Sequence, residues 1–183
     1  MIDYAISTLV TVGLFLISIA AHELGHLLVG RFLGYTSTGV TVGWGPGISF
    51  YMKGLPVRVG IIPGGGYTEF PEVFEHGSPY LLQRFLIASG GPFTSLLAAA
   101  CFMMLASLGG ELVWLWETMG IINVLIVVLN MLPIPPLDGW RMLEAMLEAM
   151  GFQVWACEKS QQRGYAVGFI VALGFTFALI IFS

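Results

Sequence analysis

The sequence contains few charged residues. Only 10% of its 183 residues are Asp, Glu, Lys or Arg, whereas about a quarter of a soluble domain is charged. Hydrophobic residues make up 57% of the chain. This composition excludes an ordinary soluble domain, and the length favours one domain, so we expect residues 1–183 to form a single membrane domain.

Basic residues and cysteines are also scarce. Seven Lys and Arg stand against eleven Asp and Glu, so no basic stripe can neutralise phosphates, which excludes a nucleic-acid partner. Two cysteines are too few for a disulfide framework. The N-terminus begins Met-Ile-Asp-Tyr and lacks the basic start of a signal peptide, so we expect its apolar stretch to remain as a membrane helix.

Four apolar segments are long enough to cross a bilayer, because a core of about 30 Å needs about 20 residues of helix. They cover residues 5–30, 80–108, 111–132 and 164–182. Residues 38–70, between the first two, contain β-branched runs separated by Gly and Pro, which predict short strands at 38–42, 47–51 and 55–62. The predicted fold is an α-helical polytopic membrane protein with about four transmembrane helices and a membrane-associated β segment.

Residues 137–150 predict a further helix that is too short to span. One face is apolar and the other charged, a pattern typical of a helix lying at the membrane interface. The apolar face consists of Leu143, Met146, Leu147 and Met150, and the charged face of Arg141, Glu144 and Glu148.

The distribution of basic residues predicts the orientation. All seven Lys and Arg lie between the first and second spans, at the start of the second span, or between the third and fourth. With four spans these regions share one side, and an excess of Lys and Arg marks the cytoplasm. Both termini are therefore expected outside, and the compact chain favours the cytoplasmic membrane of a prokaryote.

The sequence His22-Glu23-Leu24-Gly25-His26 lies inside the first predicted span. Histidines four residues apart share one helix face and can reach one zinc ion, while the glutamate points elsewhere and can act on the attacking water. The alternative is a buried polar pair satisfied by its neighbours. Three ionisable groups in an otherwise uncharged span favour a functional site, because each is costly to insert.

Asp138 is the predicted third ligand, since a catalytic zinc takes three protein ligands and keeps one open position. Pro133 and Pro135 break the third span near its predicted cytoplasmic end. His22 and His26 are expected on the same, cytoplasmic side. Asp138 could instead cap the helix that follows it. The other acids lie on the opposite side or in predicted surface loops, which favours the ligand role.

Three further residues are predicted to contact a substrate. Asn130 ends the third span and could donate a hydrogen bond to the substrate or the oxyanion, or join two helices. Gly65 and Gly66 would allow a close backbone approach. We expect an unwound substrate strand to add to the edge of the adjacent sheet there.

These motifs resemble, in their order, those of the site-2 protease family of intramembrane metalloproteases, and they cover most of residues 18–141. The similar segments are His22-Glu-Leu-Gly-His26, Gly43-Trp-Gly-Pro46, Ile62-Pro-Gly-Gly-Gly-Tyr67, Gly90-Gly-Pro-Phe-Thr-Ser95, and Asn130 through Pro135-Pro-Leu-Asp138-Gly139. The resemblance implies one zinc ion held by His22, His26 and Asp138, with Glu23 as the catalytic base.

The resemblance further implies an intramembrane zinc endopeptidase that cuts transmembrane helices of membrane-tethered regulators. Its expected partners are such a substrate, the lipid bilayer, and an accessory or regulatory membrane protein. No segment resembles the PDZ or CBS domains of many members, so we expect a minimal form. Ser95 stands where many members have Asn, and Trp140 would place a bulky ring near the metal.

Two other classes remain as alternatives. A membrane zinc transporter would need ligands on several facing helices, but the chain has only three histidines. A catalytically inactive scaffold would have no need of Glu23.

Overall fold

The computed structural model describes residues 2–74 and 80–152. Its elements, in chain order, are α1 (Ile2–Phe32), β1 (Gly39–Met52), β2 (Leu55–Glu69), α2 (Pro71–Phe74), α3 (Leu81–Ser107), α4 (Val113–Asn130) and α5 (Asp138–Ala149). The predicted span over residues 164–182 lies outside the described residues.

Three helices are long and apolar enough to cross a membrane: Ile6–Phe32, Leu81–Ser107 and Val113–Asn130. They coincide with the first three predicted spans to within a few residues, so the prediction of a helical membrane protein with a β segment is confirmed, while the fourth span stays a prediction. The last helix ends at Asn130, shortly before Pro133 and Pro135, which cannot donate backbone hydrogen bonds.

The β segment contains two long antiparallel strands rather than three short ones. The expected break near residue 43 is a bend inside β1, where Gly43 and Gly45 have φ angles of 70° and 76° and the strand register shifts. Glycine adopts such angles without steric cost. The bend lets residues 40–42 pair with 66–68 on one side and with 57–59 on the other, while residues 48–52 pair with 55–59.

The outer half of the sheet exposes large apolar side chains. Tyr51 is 78% exposed, Ile48 67% and Ile61 62%. The inner half packs on α1, where Val42 joins a core cluster with Phe15 and Ile19.

Helix α5 packs part of its acidic face against α3. Its predicted charged face is partly buried, since Glu144 and Glu148 both pair with Arg84 of α3. Met146 and Met150 of the predicted apolar face are exposed. The ion pairs fix which face points inward, and the exposed methionines are suited to lipid.

Candidate metal centre

The two histidines of α1 face the first residue of α5. His22 and His26 are buried, one helical turn apart. Their Nε2 atoms lie 3.0 and 3.2 Å from the same oxygen, Oδ2 of Asp138. Residues far apart in the sequence, on α1 and α5, thus converge at one point inside the protein.

The geometry of these three side chains fits a zinc ion. Two ligand atoms on one tetrahedral zinc lie about 3.4 Å apart at ordinary bond lengths, close to the separations of the histidine nitrogens from Asp138. His26 Nδ1 lies 2.6 Å from the Ile87 carbonyl oxygen, which can only accept, and 3.3 Å from the Gly91 backbone nitrogen. The shorter contact favours the tautomer with the proton on Nδ1. Nε2 of His26 then faces the carboxylate: a protonated ring pairs with Asp138 directly, whereas a neutral ring would share a cation with it.

Asp138 is oriented toward the histidines rather than toward its own helix. The residue that caps α5 is Leu137, and no side chain forms a capping hydrogen bond there. Burial alone would raise the pKa of Asp138, but the nearby charges and hydrogen bonds of His26 and His22 hold that pKa well below its usual range. The capping alternative is therefore not observed, and the carboxylate is available as an anionic ligand.

One face of α3 orients both imidazole rings. Ser95, fully buried, places its Oγ 3.0 Å from His22 Nδ1, and the Ile87 carbonyl holds His26. Between them, a Cβ on Gly91 would lie only 2.5 Å from His22 Nε2, and closer still to His26 Nε2, so a residue without a side chain is required. Such partners fix the ring orientation and the tautomer of metal-binding histidines.

Glu23 is buried beside the histidines under the end of β2. The Thr68 hydroxyl donates to Glu23 Oε2 over 2.8 Å. A Cβ on Gly66 would lie 2.8 Å from Glu23 Oε1, so the strand backbone packs directly on this carboxylate. With His22 and His26, Glu23 forms a group whose ligand atoms all lie within 4.8 Å of one another.

A cavity of about 970 Å³ opens beside these residues. Gly65 and Asn130 both line it. Asn130 Nδ2 donates to the Ile126 carbonyl of its own helix, so its role toward a substrate stays a prediction. Among the described residues the lining includes Leu137 and Arg141 but not Trp140, so the expected bulky ring does not enter this cavity.

Comparison with known proteins decides the family. The family model described as peptidase family M50 matches residues 10–114 and 106–175. The chain belongs to peptidase family M50. The predicted resemblance to the site-2 proteases is thereby confirmed, and the family together with the three apolar helices indicates an integral membrane protein.

Several curated relatives share the printed name "Putative zinc metalloprotease". One from Chlamydia pneumoniae is 30% identical over 118 residues, covering 52% of this chain and 19% of the relative. Rip3 of Mycobacterium tuberculosis is 31% identical over 170 residues, covering 87% of this chain and 37% of the relative. One from Bartonella henselae is 40% identical over 57 residues, covering 30% of this chain and 16% of the relative. The chain therefore spans well under half the length of these relatives.

Proposed function

We propose that this M50 chain is an intramembrane zinc endopeptidase that hydrolyses peptide bonds within the transmembrane helices of membrane-tethered proteins. The observation that carries the proposal is the convergence of Asp138 with His22 and His26, which lie beside Glu23 in a helix long enough to span a membrane. Ionisable groups at such depth are costly and are retained for function.

The proposed roles follow from the donor set. His22, His26 and Asp138 would hold the metal, and His26 cannot turn away because its other nitrogen is held by Ile87. Zinc, when bound, would lower the pKa of water toward about 7 and polarise the substrate carbonyl.

Glu23 is the proposed base. Its carboxylate would accept a proton from the attacking water and pass it to the amine that leaves when the peptide bond breaks. Thr68 bonds only one carboxylate oxygen, Oε2, and fixes its position. Oε1 lies against Gly66, at a point where any side chain on the strand would displace it.

A substrate helix must unwind before its carbonyls are accessible, because they are bonded within the helix. We propose that the unwound segment lies along residues 63–65 of β2, which line the cavity and have no partner in the register of the sheet. Extended backbone bound to a strand forms hydrogen bonds of the kind seen in β-addition. Gly64 and Gly65 pack under the ring of Trp44, which also lines the cavity and would form one wall of the substrate-binding site.

The direct test is cleavage of a tagged single-span substrate in liposomes by the wild type and by Glu23→Gln, with zinc content measured for both. The variant should retain zinc and lose activity by about 10²- to 10⁴-fold, the usual contribution of a general base. Equal cleavage by both proteins would remove Glu23 from the mechanism. Zinc flux into the liposomes without cleavage would instead support the transporter alternative.

A further inference from the structure

Arg84 forms a buried ionic bridge between α3 and α5. Its Nη2 lies 2.8 Å from Glu144 Oε2, and its Nη1 lies 2.7 Å from Glu148 Oε2. Arg84 is 4% exposed and Glu144 is 7% exposed. The planar guanidinium suits this arrangement, because its donors are rigidly spaced and can hold two carboxylates at once.

Stability alone is a weak explanation for this bridge. Removing charges from water carries a penalty that can exceed their mutual attraction, and apolar residues often replace a buried ion pair without loss of stability. One donor, Arg84 Nε, has no partner among the described atoms, which adds to the penalty. What such a pair does provide is a defined geometry between the elements it joins.

The position of Arg84 on α3 indicates which geometry is defined. Arg84, Ile87, Gly91 and Ser95 are spaced by three or four residues and share one helix face. Ile87 and Ser95 orient the two histidines. Arg84 extends the same face by one turn and holds α5, the helix whose first residue is Asp138.

We infer that Arg84 is a positioning residue for Asp138. By holding Glu144 and Glu148 it sets the rotation and depth of α5, and so places the Asp138 carboxylate where the two histidines meet. A single face of α3 then aligns all three side chains of the site. This inference rests on the proposed zinc site, and it assigns to Arg84 no contact with metal or substrate.

A double-mutant cycle on zinc affinity tests the inference. Zinc dissociation constants are measured by competition with a chelator for the wild type, Arg84→Met, Asp138→Ala and the double variant. Arg84→Met should weaken zinc binding by about 10-fold or more, as losses of supporting partners do. In the Asp138→Ala background the same change should weaken zinc binding by less than about 2-fold, because the carboxylate that Arg84 positions is absent.

Folding is followed by circular dichroism, with Glu117→Gln as the control because it removes an exposed charge from α4. If Arg84→Met fails to fold, Arg84→Lys takes its place in the cycle, because lysine keeps the charge and loses the two-pronged geometry.

Equal losses of zinc affinity in the wild-type and Asp138→Ala backgrounds, or no loss in either, would overturn the positioning role while leaving the zinc site intact. A wild type that binds no zinc would overturn the proposed function and this inference together.

Discussion

At the scale of single residues, the site depends on a missing side chain as much as on those present. Gly91 of α3 lies against the Nε2 atoms of both histidines. Its neighbours on the same face, Ile87 and Ser95, contact the Nδ1 atoms of the two rings. The Nδ1 contacts thus fix both rings, and the absence of a side chain on Gly91 would leave room for a cation at Nε2.

We predict that Gly91→Ala abolishes or strongly weakens zinc binding. The added methyl group would clash with His26 Nε2, and overpacking of this kind costs about 1–3 kcal/mol, equivalent to an affinity lower by about 5- to 150-fold. Gly13→Ala is the matched control, because that glycine is also in a membrane helix and has nothing within 4 Å of the new methyl group. Zinc titration should show a lower affinity for Gly91→Ala and an unchanged affinity for Gly13→Ala. Wild-type affinity in Gly91→Ala would contradict the geometry.

The sequence predicted the residues whose relation is local and missed those whose relation is tertiary. His22, Glu23 and His26 are related by helical spacing, which the sequence shows directly. Ser95 lay in a recognised motif, but its contact with His22 spans 73 positions. Thr68 meets Glu23 across 45 positions, and no local pattern signals that pairing.

At the scale of elements, the sequence predicted where the described helices lie, but it did not show which face of α5 packs against the protein. For α5, periodicity separated the apolar and acidic faces, yet the acidic face turns inward because Arg84, 60 positions away from Glu144, is its partner. For the sheet, Gly and Pro signalled a break near residue 43. The structure instead bends β1 there without ending it.

We predict that Gly65→Ala slows substrate cleavage while zinc stays bound. Gly65 has a φ of 139°, and its added methyl group would lie 3.3 Å from Trp44, so the backbone beside the cavity must shift. Shifts of about 1 Å near reacting groups can lower rates about 100-fold. Gly66→Val is a poorer test, because its side chain would also strike Glu23.

Gly54→Ala is the control for backbone strain in this experiment. Gly54 also has a positive φ, 84°, but lies at the turn between β1 and β2 with nothing within 4 Å. Gly65→Ala should cleave peptide more slowly than Gly54→Ala, while the two variants should contain the same amount of zinc. Cleavage by Gly65→Ala at the rate of the control would exclude this strand as the substrate-binding element.

At the scale of the whole molecule, the predicted orientation has a direct consequence for labelling. Arg31, exposed at the end of α1, should face the cytoplasm, whereas Glu111, exposed in the turn between α3 and α4, should face outward. In chains whose native cysteines are replaced by alanine, an impermeant thiol reagent added to intact cells should label Glu111→Cys and not Arg31→Cys. The reverse pattern would invert the topology.

His22, His26 and Asp138 are proposed to bind one zinc ion inside the membrane domain. X-ray absorption at the zinc edge, recorded on the purified wild type and on Asp138→Ala, tests this ligand set. We expect two imidazole ligands with oxygen ligands and no sulfur at bond lengths of about 2.0–2.2 Å, and the loss of a carboxylate contribution in the variant. A sulfur ligand, a shell of oxygens alone, or an identical spectrum from the variant would contradict it.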